Sequence, residues 1–216
     1  MTTARDDILS RIRLALRDVT EEDPALDVPV AWQYGRPTDV AHVLDLFVER
    51  VEDYRAVVER VTPEELPGAI ARHLADAGAH SVVLPSGIDA AWRAAVEGSF
   101  EVLSDDPPLT NDQLNRADAV LTAAAVGIAE TGTFVLDHHD DQGRRALTLV
   151  PDRHVCVVRA DQVVTDVPEA VVRLREAVEA GRPLTWVSGP SATSDIELSR
   201  VEGVHGPRSL HVLVVG

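Results

Sequence analysis

The segment TPEELPGAIARHLADAGAHSVVLP, residues 62–85, carries the unit that decides the fold. Its opening, Thr62-Pro-Glu-Glu65, sets a hydroxyl cap before a proline at the first helical position and a glutamate able to reach back, which is a capping box. Its close, Ser81-Val-Val-Leu-Pro85, is a short apolar run ended by proline and reads as a buried strand. One helix start followed by one strand is the element of an α/β chain.

The alternation recurs on both sides of this segment. Upstream, Val40, Val43, Leu44, Phe47, Val48 and Val51 make a helical stripe; downstream, Phe100-Glu-Val-Leu103 and Ala119-Val-Leu-Thr122 read as further strands. Asp166-Val-Pro-Glu169 caps a helix with Val167, Val171, Leu174 and Val178 on one face, and Gly181 ends it. Leu184-Thr-Trp-Val187 and Leu210 to Val215 are the last strands. From Thr133 the rhythm changes: Thr133 to Leu136 and Ala146 to Val150 flank His138-His-Asp-Asp-Gln-Gly-Arg144, which predicts a hairpin of two antiparallel strands. Short apolar strands between helices predict an α/β domain whose largely parallel sheet is covered by helices on both faces. Ligands of such open sheets bind outside the carboxyl ends of the strands.

At the N-terminus, residues 4–18 predict an amphipathic helix, with Ile8, Ile12, Ala15 and Val19 at helical spacing among Arg5, Arg11, Arg13 and Arg17. Such a helix either covers its own domain or docks on a partner. Residues 20–37, with Pro24, Pro29, Pro37 and Glu21-Glu-Asp23, read as a linker. The expected division is therefore an N-terminal helix and linker over 1–37 and a main domain over 38–216.

Composition removes several function classes. A chain of 216 residues with a net charge of −16 makes a poor partner for nucleic acid or an anionic membrane surface, both of which demand clustered cations. All 20 basic residues are arginine, so Schiff-base chemistry and a lysine-bearing phosphate loop are excluded. The single cysteine, Cys156, lies in the apolar run Val155 to Val158, so this chain holds no disulfide or iron–sulfur cluster on its own thiolates. No apolar run approaches a membrane span, and the acidic start Met-Thr-Thr-Ala-Arg-Asp-Asp is unlike a secretory signal. A cytoplasmic location is the expectation.

Four groups of residues have the make-up of sites. Gly127-Ile-Ala-Glu-Thr-Gly-Thr133 has phosphate-loop spacing, but Thr133 stands where lysine is required. It leaves Glu130, among small residues and partly buried, as a nucleophile or general base, with Gly132 and Thr133 beside a ligand; alternatively Glu130 pairs with an arginine and the glycines only make a turn. Ser188-Gly-Pro-Ser-Ala-Thr-Ser-Asp-Ile-Glu197 offers an anion the turn at Ser188, Gly189 and Ser191 together with the Thr193 hydroxyl, although Ser194 to Glu197 is equally a capping box. Gly203-Val-His-Gly-Pro-Arg208 places His205, Gly206 and Arg208 near a ligand, or makes only a turn. His138, His139, Asp140, Asp141 and His154 carry metal-type donors, yet adjacent side chains on an extended chain point apart, so no metal site is expected.

The order and spacing of the Gly127–Thr133, Ser188–Glu197 and Gly203–Arg208 blocks resemble the LUD-domain family over roughly residues 60 to 216, with Ser194 standing where alanine is usual. Longer relatives carry cysteine-rich iron–sulfur segments that this chain lacks. The resemblance implies a fold similar to the NagB/RpiA/CoA-transferase group. It also implies the role of an accessory subunit in oxidation of L-lactate to pyruvate, binding a small anionic ligand. No cofactor would be carried by this chain, and the iron–sulfur clusters would sit on partner proteins. An alternative is a stand-alone small-molecule enzyme or sensor using Glu130, with Ser191, Thr193, His205 and Arg208 holding an anion, motivated by three polar loops that a doubly covered sheet could bring together; a CoA-transferase-like or sugar-phosphate-isomerase-like site is suggested by kinship of fold, which is analogy.

Overall fold

The computed structural model describes residues 3–20, 23, 38–190, 192–193, 201–202 and 206–216. The chain forms two units, Met1–Arg36 and Pro37–Gly216. In the first, helix α1 (Ala4–Ala15) starts at a capping box in which the Asp6 N–H donates to Thr3 Oγ1 and the Thr3 N–H donates to the Asp6 carboxylate. The linker predicted over 20–37 lies almost wholly outside the described residues.

The second unit runs through α2 (Val43–Asp53), β1 (Val57–Val61), α3 (Leu66–Asp76), β2 (Ser81–Leu84), α4 (Ala90–Glu97), β3 (Glu101–Ser104), α5 (Asn111–Arg116) and β4 (Ala119–Ala123). It continues with β5 (Val126–Ile128), β6 (Thr133–Leu136), β7 (Arg153–Arg159), β8 (Val163–Val164), α6 (Val167–Arg173), α7 (Arg175–Glu179), β9 (Thr185–Val187), β10 (Ala192–Thr193), β11 (Val201–Glu202) and β12 (Ser209–Val215). The capping box read from Thr62 is present: its N–H donates to Glu65 Oε2 at 3.0 Å and its hydroxyl accepts from the Glu65 N–H at 3.4 Å, with α3 beginning one residue later. Asp166 likewise caps α6 through the Glu169 N–H at 3.2 Å.

Six strands form one parallel sheet in the order β3-β2-β4-β7-β12-β1. Side chains of its central strands feed alternate faces. Val155, Val157, Leu213 and Val215 pack with Leu66, Ile70 and Leu74 of α3 and Val96 of α4. Cys156, Val158, Leu210, Val212 and Val214 pack with Phe47 and Val51 of α2 and with Phe134 and Leu136 of β6. The parallel sheet flanked by helices agrees with expectation, with one addition: on the second face the cover is shared with a four-stranded sheet, β8-β5-β6-β9. Its own far side is closed by Ala170 and Leu174, within and just after α6.

The hairpin expected from Thr133 to Val150 does not form. Both edges of β6 are taken, by β5 and β9, each antiparallel, so no edge remains for a further strand. Ala146 to Val150 instead contributes to a 3-10 helix, Arg145–Thr148, which buries Leu147 and Thr148 against Val83, Leu114 and Val120. Among the described residues no helix is long and apolar enough to cross a membrane.

Within the core, His154 is 1 % exposed and its Nε2 lies 2.8 Å from Thr122 Oγ1. Burial drops its pKa to about 3. The unfolded chain therefore takes up a proton near pH 6.5 that the folded chain refuses, so stability falls as pH drops from there toward 3. For this residue the slope approaches about 1 kcal/mol per pH unit. His154→Gln, which keeps a polar group facing Thr122, is expected to lose less stability between pH 7 and pH 5 than the parent in urea denaturation. Equal losses would contradict the assignment.

Candidate functional site

The Gly127–Thr133 motif is a strand, a turn and a strand. Ile128 faces Thr133 across the β5–β6 ladder, which leaves Ala129 to Gly132 as the connection. Gly127 sits in β5 because a Cβ there would meet the Phe47 ring and Val163 at 3.2 Å. Gly132 has φ +57°, and its Cβ would fall 2.6 Å from the Arg50 carbonyl. Three of the turn's amides are already used, since the Ala129, Glu130 and Gly132 N–H groups donate to Val164 O, Thr165 O and Ala129 O at 2.9, 3.0 and 3.3 Å. They do not form a free anion cradle. Glu130 itself is exposed, and among the described residues nothing pairs with its carboxylate, so the partial burial expected to tune it is absent.

Two of the motifs nevertheless meet. Thr133 Oγ1 lies 2.7 Å from Ser188 Oγ and accepts from Thr131 Oγ1 at 2.8 Å, forming a row of three hydroxyls across the β6–β9 edge. Next to it, Gly189 has φ +86° and approaches Tyr54 so closely that a Cβ would stand 2.5 Å from the tyrosine Cβ. Gly132, Thr133, Ser188 and Gly189 are thus assembled against Arg50 and Tyr54, at the end of α2.

The remaining predicted residues are placed differently. The backbone of Thr193 pairs with Val201 in the β10–β11 ribbon. Ser191, His205 and the Ser194–Glu197 capping box lie outside the described residues. Gly206 is buried. Arg208 is held at the amino ends of β7 and β12 by Asp152, Nη1 to Oδ2 at 2.6 Å, an exposed pair whose worth is small.

Topology marks a second place. Strand β3 lies on one side of β2, and the chain then returns to form β4 on the other side. The order therefore reverses between β2 and β4, where open α/β sheets bind ligands. The segment His138–Arg144, expected to be a solvated tip, folds over their carboxyl ends: the Gly87 N–H donates to Asp140 O at 2.9 Å and the Ala123 N–H to Asp141 O at 3.1 Å. Gln142 Oε1 fixes the loop by accepting from the Asp137 and His138 N–H groups at 2.7 and 3.1 Å. His138, at φ +56°, bridges Gly143 O and Thr185 Oγ1, both at 2.8 Å.

A cleft of about 380 Å³ opens on one side of this loop, beside Ser86, Ser104 and Arg145. A smaller one of about 210 Å³ opens on the other, beside Asp141 and Arg182. Between the first cleft and α5, Arg144 grips Asp105 with two nitrogens at 2.7 and 2.9 Å. Burial works to raise the Asp105 carboxyl, but the bonds from Arg144 and the Leu109 N–H outweigh it and hold the group below the usual carboxylate range. Asp137 and Arg182 carry no local pattern that would have flagged them in the sequence, and Asp141 stood out there only among metal-type donors. The signal that joins them is position at the carboxyl ends of the strands. Among the described residues no group of three or more His, Cys, Asp or Glu has the geometry of a metal site.

A family model described as the LUD domain matches residues 44–215. A Deinococcus radiodurans protein named Lactate utilization protein C is 56% identical over 180 residues, covering 83% of this chain and 82% of that one. A protein of the same name from Bacillus pumilus is 28% identical over 233 residues, covering 97% and 96%. The crystal structure of a DUF162 family protein from Deinococcus radiodurans aligns with a TM-score of 0.72 and 50% identity, over 83% of this chain and all of that one.

The glycine and hydroxyl contacts give a graded expectation. Gly189→Ala forces both a positive φ and a clash with Tyr54 and should cost on the order of 1–3 kcal/mol. Thr133→Val removes one part-buried hydroxyl from the row and should cost about 1 kcal/mol. Urea denaturation reads both, and an unchanged Gly189→Ala variant would refute the packing of Gly189 on Tyr54.

Proposed function

This chain belongs to the LUD-domain family, and from that premise we propose that it is an accessory subunit of a lactate-utilisation system that oxidises L-lactate to pyruvate. The observation that carries the reading is the 56% identity to a protein named for lactate utilisation, extending over more than four-fifths of both chains. Its partners are iron–sulfur proteins. The chain's one cysteine, Cys156, is fully buried and its thiol is pushed up to about 12, chiefly by burial, whereas a cluster needs several accessible thiolates. Electrons that travel through thiolate-held clusters therefore travel on the partners. What this subunit contributes is binding: a small anion at the Thr133, Ser188 and Gly189 corner, or the positioning of a partner.

A stand-alone enzyme or sensor working through Glu130 draws support from one observation, the 2.7 Å contact that joins Thr133, three residues after Glu130, to Ser188. Growth separates the readings. Deletion of the gene is expected to abolish growth on L-lactate as sole carbon source, and an affinity-tagged chain is expected to recover iron–sulfur proteins from lactate-grown cells. Restoration of growth by Glu130→Gln as fully as by the parent supports the accessory role, while failure of this variant at normal protein levels supports the enzyme. Unimpaired growth of the deletion strain, with no iron–sulfur partner recovered, would sink the proposal.

A further inference from the structure

We propose that the cleft of about 210 Å³ between the carboxyl end of β4, the Asp137–Gln142 loop and α7 is a binding site for a small organic carboxylate, received by Arg182. It shares no lining residue with the Thr133–Ser188 corner. Three observations converge on it: place, size and a guanidinium fixed in its lining.

The place is the carboxyl side of the β2/β4 reversal, closed from above by a loop that both strands hydrogen-bond. The size falls below the roughly 300–1,000 Å³ of sites for drug-sized ligands, so a nucleotide or coenzyme A does not fit, whereas an acid of a few carbons does. Ala124, Ala125 and Ala177 keep the walls short.

The chemistry centres on Arg182. Its backbone N–H is anchored to Ala177 O at 2.9 Å, at the helix stop. Its Nη2 donates to Asp137 Oδ2 at 2.8 Å, and Asp137 cannot swing away, because its own N–H is held by Gln142 and its Oδ1 accepts from the His139 N–H at 3.3 Å. The Arg182 Nε is buried with no partner among the described residues. A buried donor left unpaired is costly. The guanidinium lines the cleft with 30% of its side chain exposed, and with Nη2 already on Asp137 its other terminal N–H groups can receive a carboxylate.

Opposite, burial pushes the Asp141 carboxyl up from its ordinary value, with His139 opposing. The Asp141 carboxyl, together with His139 and Gln142, gives the cleft polar groups that can meet an oxygen on the ligand's second carbon. The cleft is thereby matched to a 2-hydroxy or 2-oxo acid over a simple fatty acid.

Calorimetric titration of the full chain tests this with L-lactate, pyruvate, acetate and inorganic phosphate; the choice of the first two rests on the function proposed above. Saturable binding of L-lactate or pyruvate, stronger than that of acetate or phosphate, is expected. Arg182→Gln combined with Asp137→Asn removes both charges together, leaves no buried carboxylate unpaired, and should weaken binding at least tenfold. Arg145→Gln, in the larger cleft, should leave it unchanged. If the double variant loses its fold, Ala125→Leu, which narrows the cleft without touching a charge, must weaken binding instead. The proposal is overturned by the absence of saturable heat with any carboxylate, by phosphate binding more tightly than all of them, by full binding in the folded double variant, or by a loss confined to Arg145→Gln. Because the titration needs no partner protein, its failure leaves the lactate role to the growth test, and a failed growth test leaves the cleft standing.

Discussion

Everything in the main unit follows from the burial of β7 and β12 on both faces. From Val155 to Val158 and from Val212 to Val214 every side chain is at most 3 % exposed, and successive residues enter different cores. Each fully buried Val or Leu contributes roughly 1.5–3 kcal/mol, so neither face can be left to water. Helices α3 and α4 close one face, and α2 with the β8-β5-β6-β9 sheet closes the other. That second sheet inherits the problem, because its outer side chains Val126, Ile128 and Val135 need a cover in turn, and the α6 segment is placed there to supply it. The layers are a chain of obligations that starts at two strands.

The readable parts of the sequence were those whose signal is local. The capping box at Thr62 and the cap at Asp166 mark helix starts through side chains within three residues of the caps, and runs such as Ser81 to Leu84 are too short and too apolar for anything but a buried strand. What failed depended on partners elsewhere. Ala146 to Val150 resembles a strand, but no free sheet edge was available to it, and edge availability is a property of topology. Strand β5 was hidden for the opposite reason. Its Gly127 reads as a turn residue, whereas it is a strand position emptied of its side chain so that Phe47 can lie on it.

Charge shows a related division of labour. With no lysine, every fixed cation is a planar guanidinium, which holds a carboxylate in a defined orientation where an ammonium would act only as a point charge. Arg144 uses this to tie Asp105 to the loop over β2 and β4, and Arg72 to hold Glu59, whose other oxygen lies 2.6 Å from His73 Nε2. In such a chain a buried guanidinium nitrogen without a partner stands out, and among the described residues the Arg182 Nε is that atom.

The two candidate places differ in why they were or were not visible. Gly127, Gly132 and Gly189 form conspicuous motifs, yet each approaches α2 or the residue just beyond it, at Phe47, Arg50 and Tyr54, so much of the pattern is a record of backbone packing. A glycine motif alone cannot distinguish room made for a ligand from room made for a helix. The groups lining the smaller cleft, by contrast, come from the Asp137–Gln142 loop, the end of β4 and the α6–α7 segment, and they meet only when the parallel sheet aligns the carboxyl ends of its strands. A chain of this architecture writes its scaffold in repeating local patterns and its binding chemistry in isolated positions. Topology, through the β2/β4 reversal, is what connects the second kind of residue to a place.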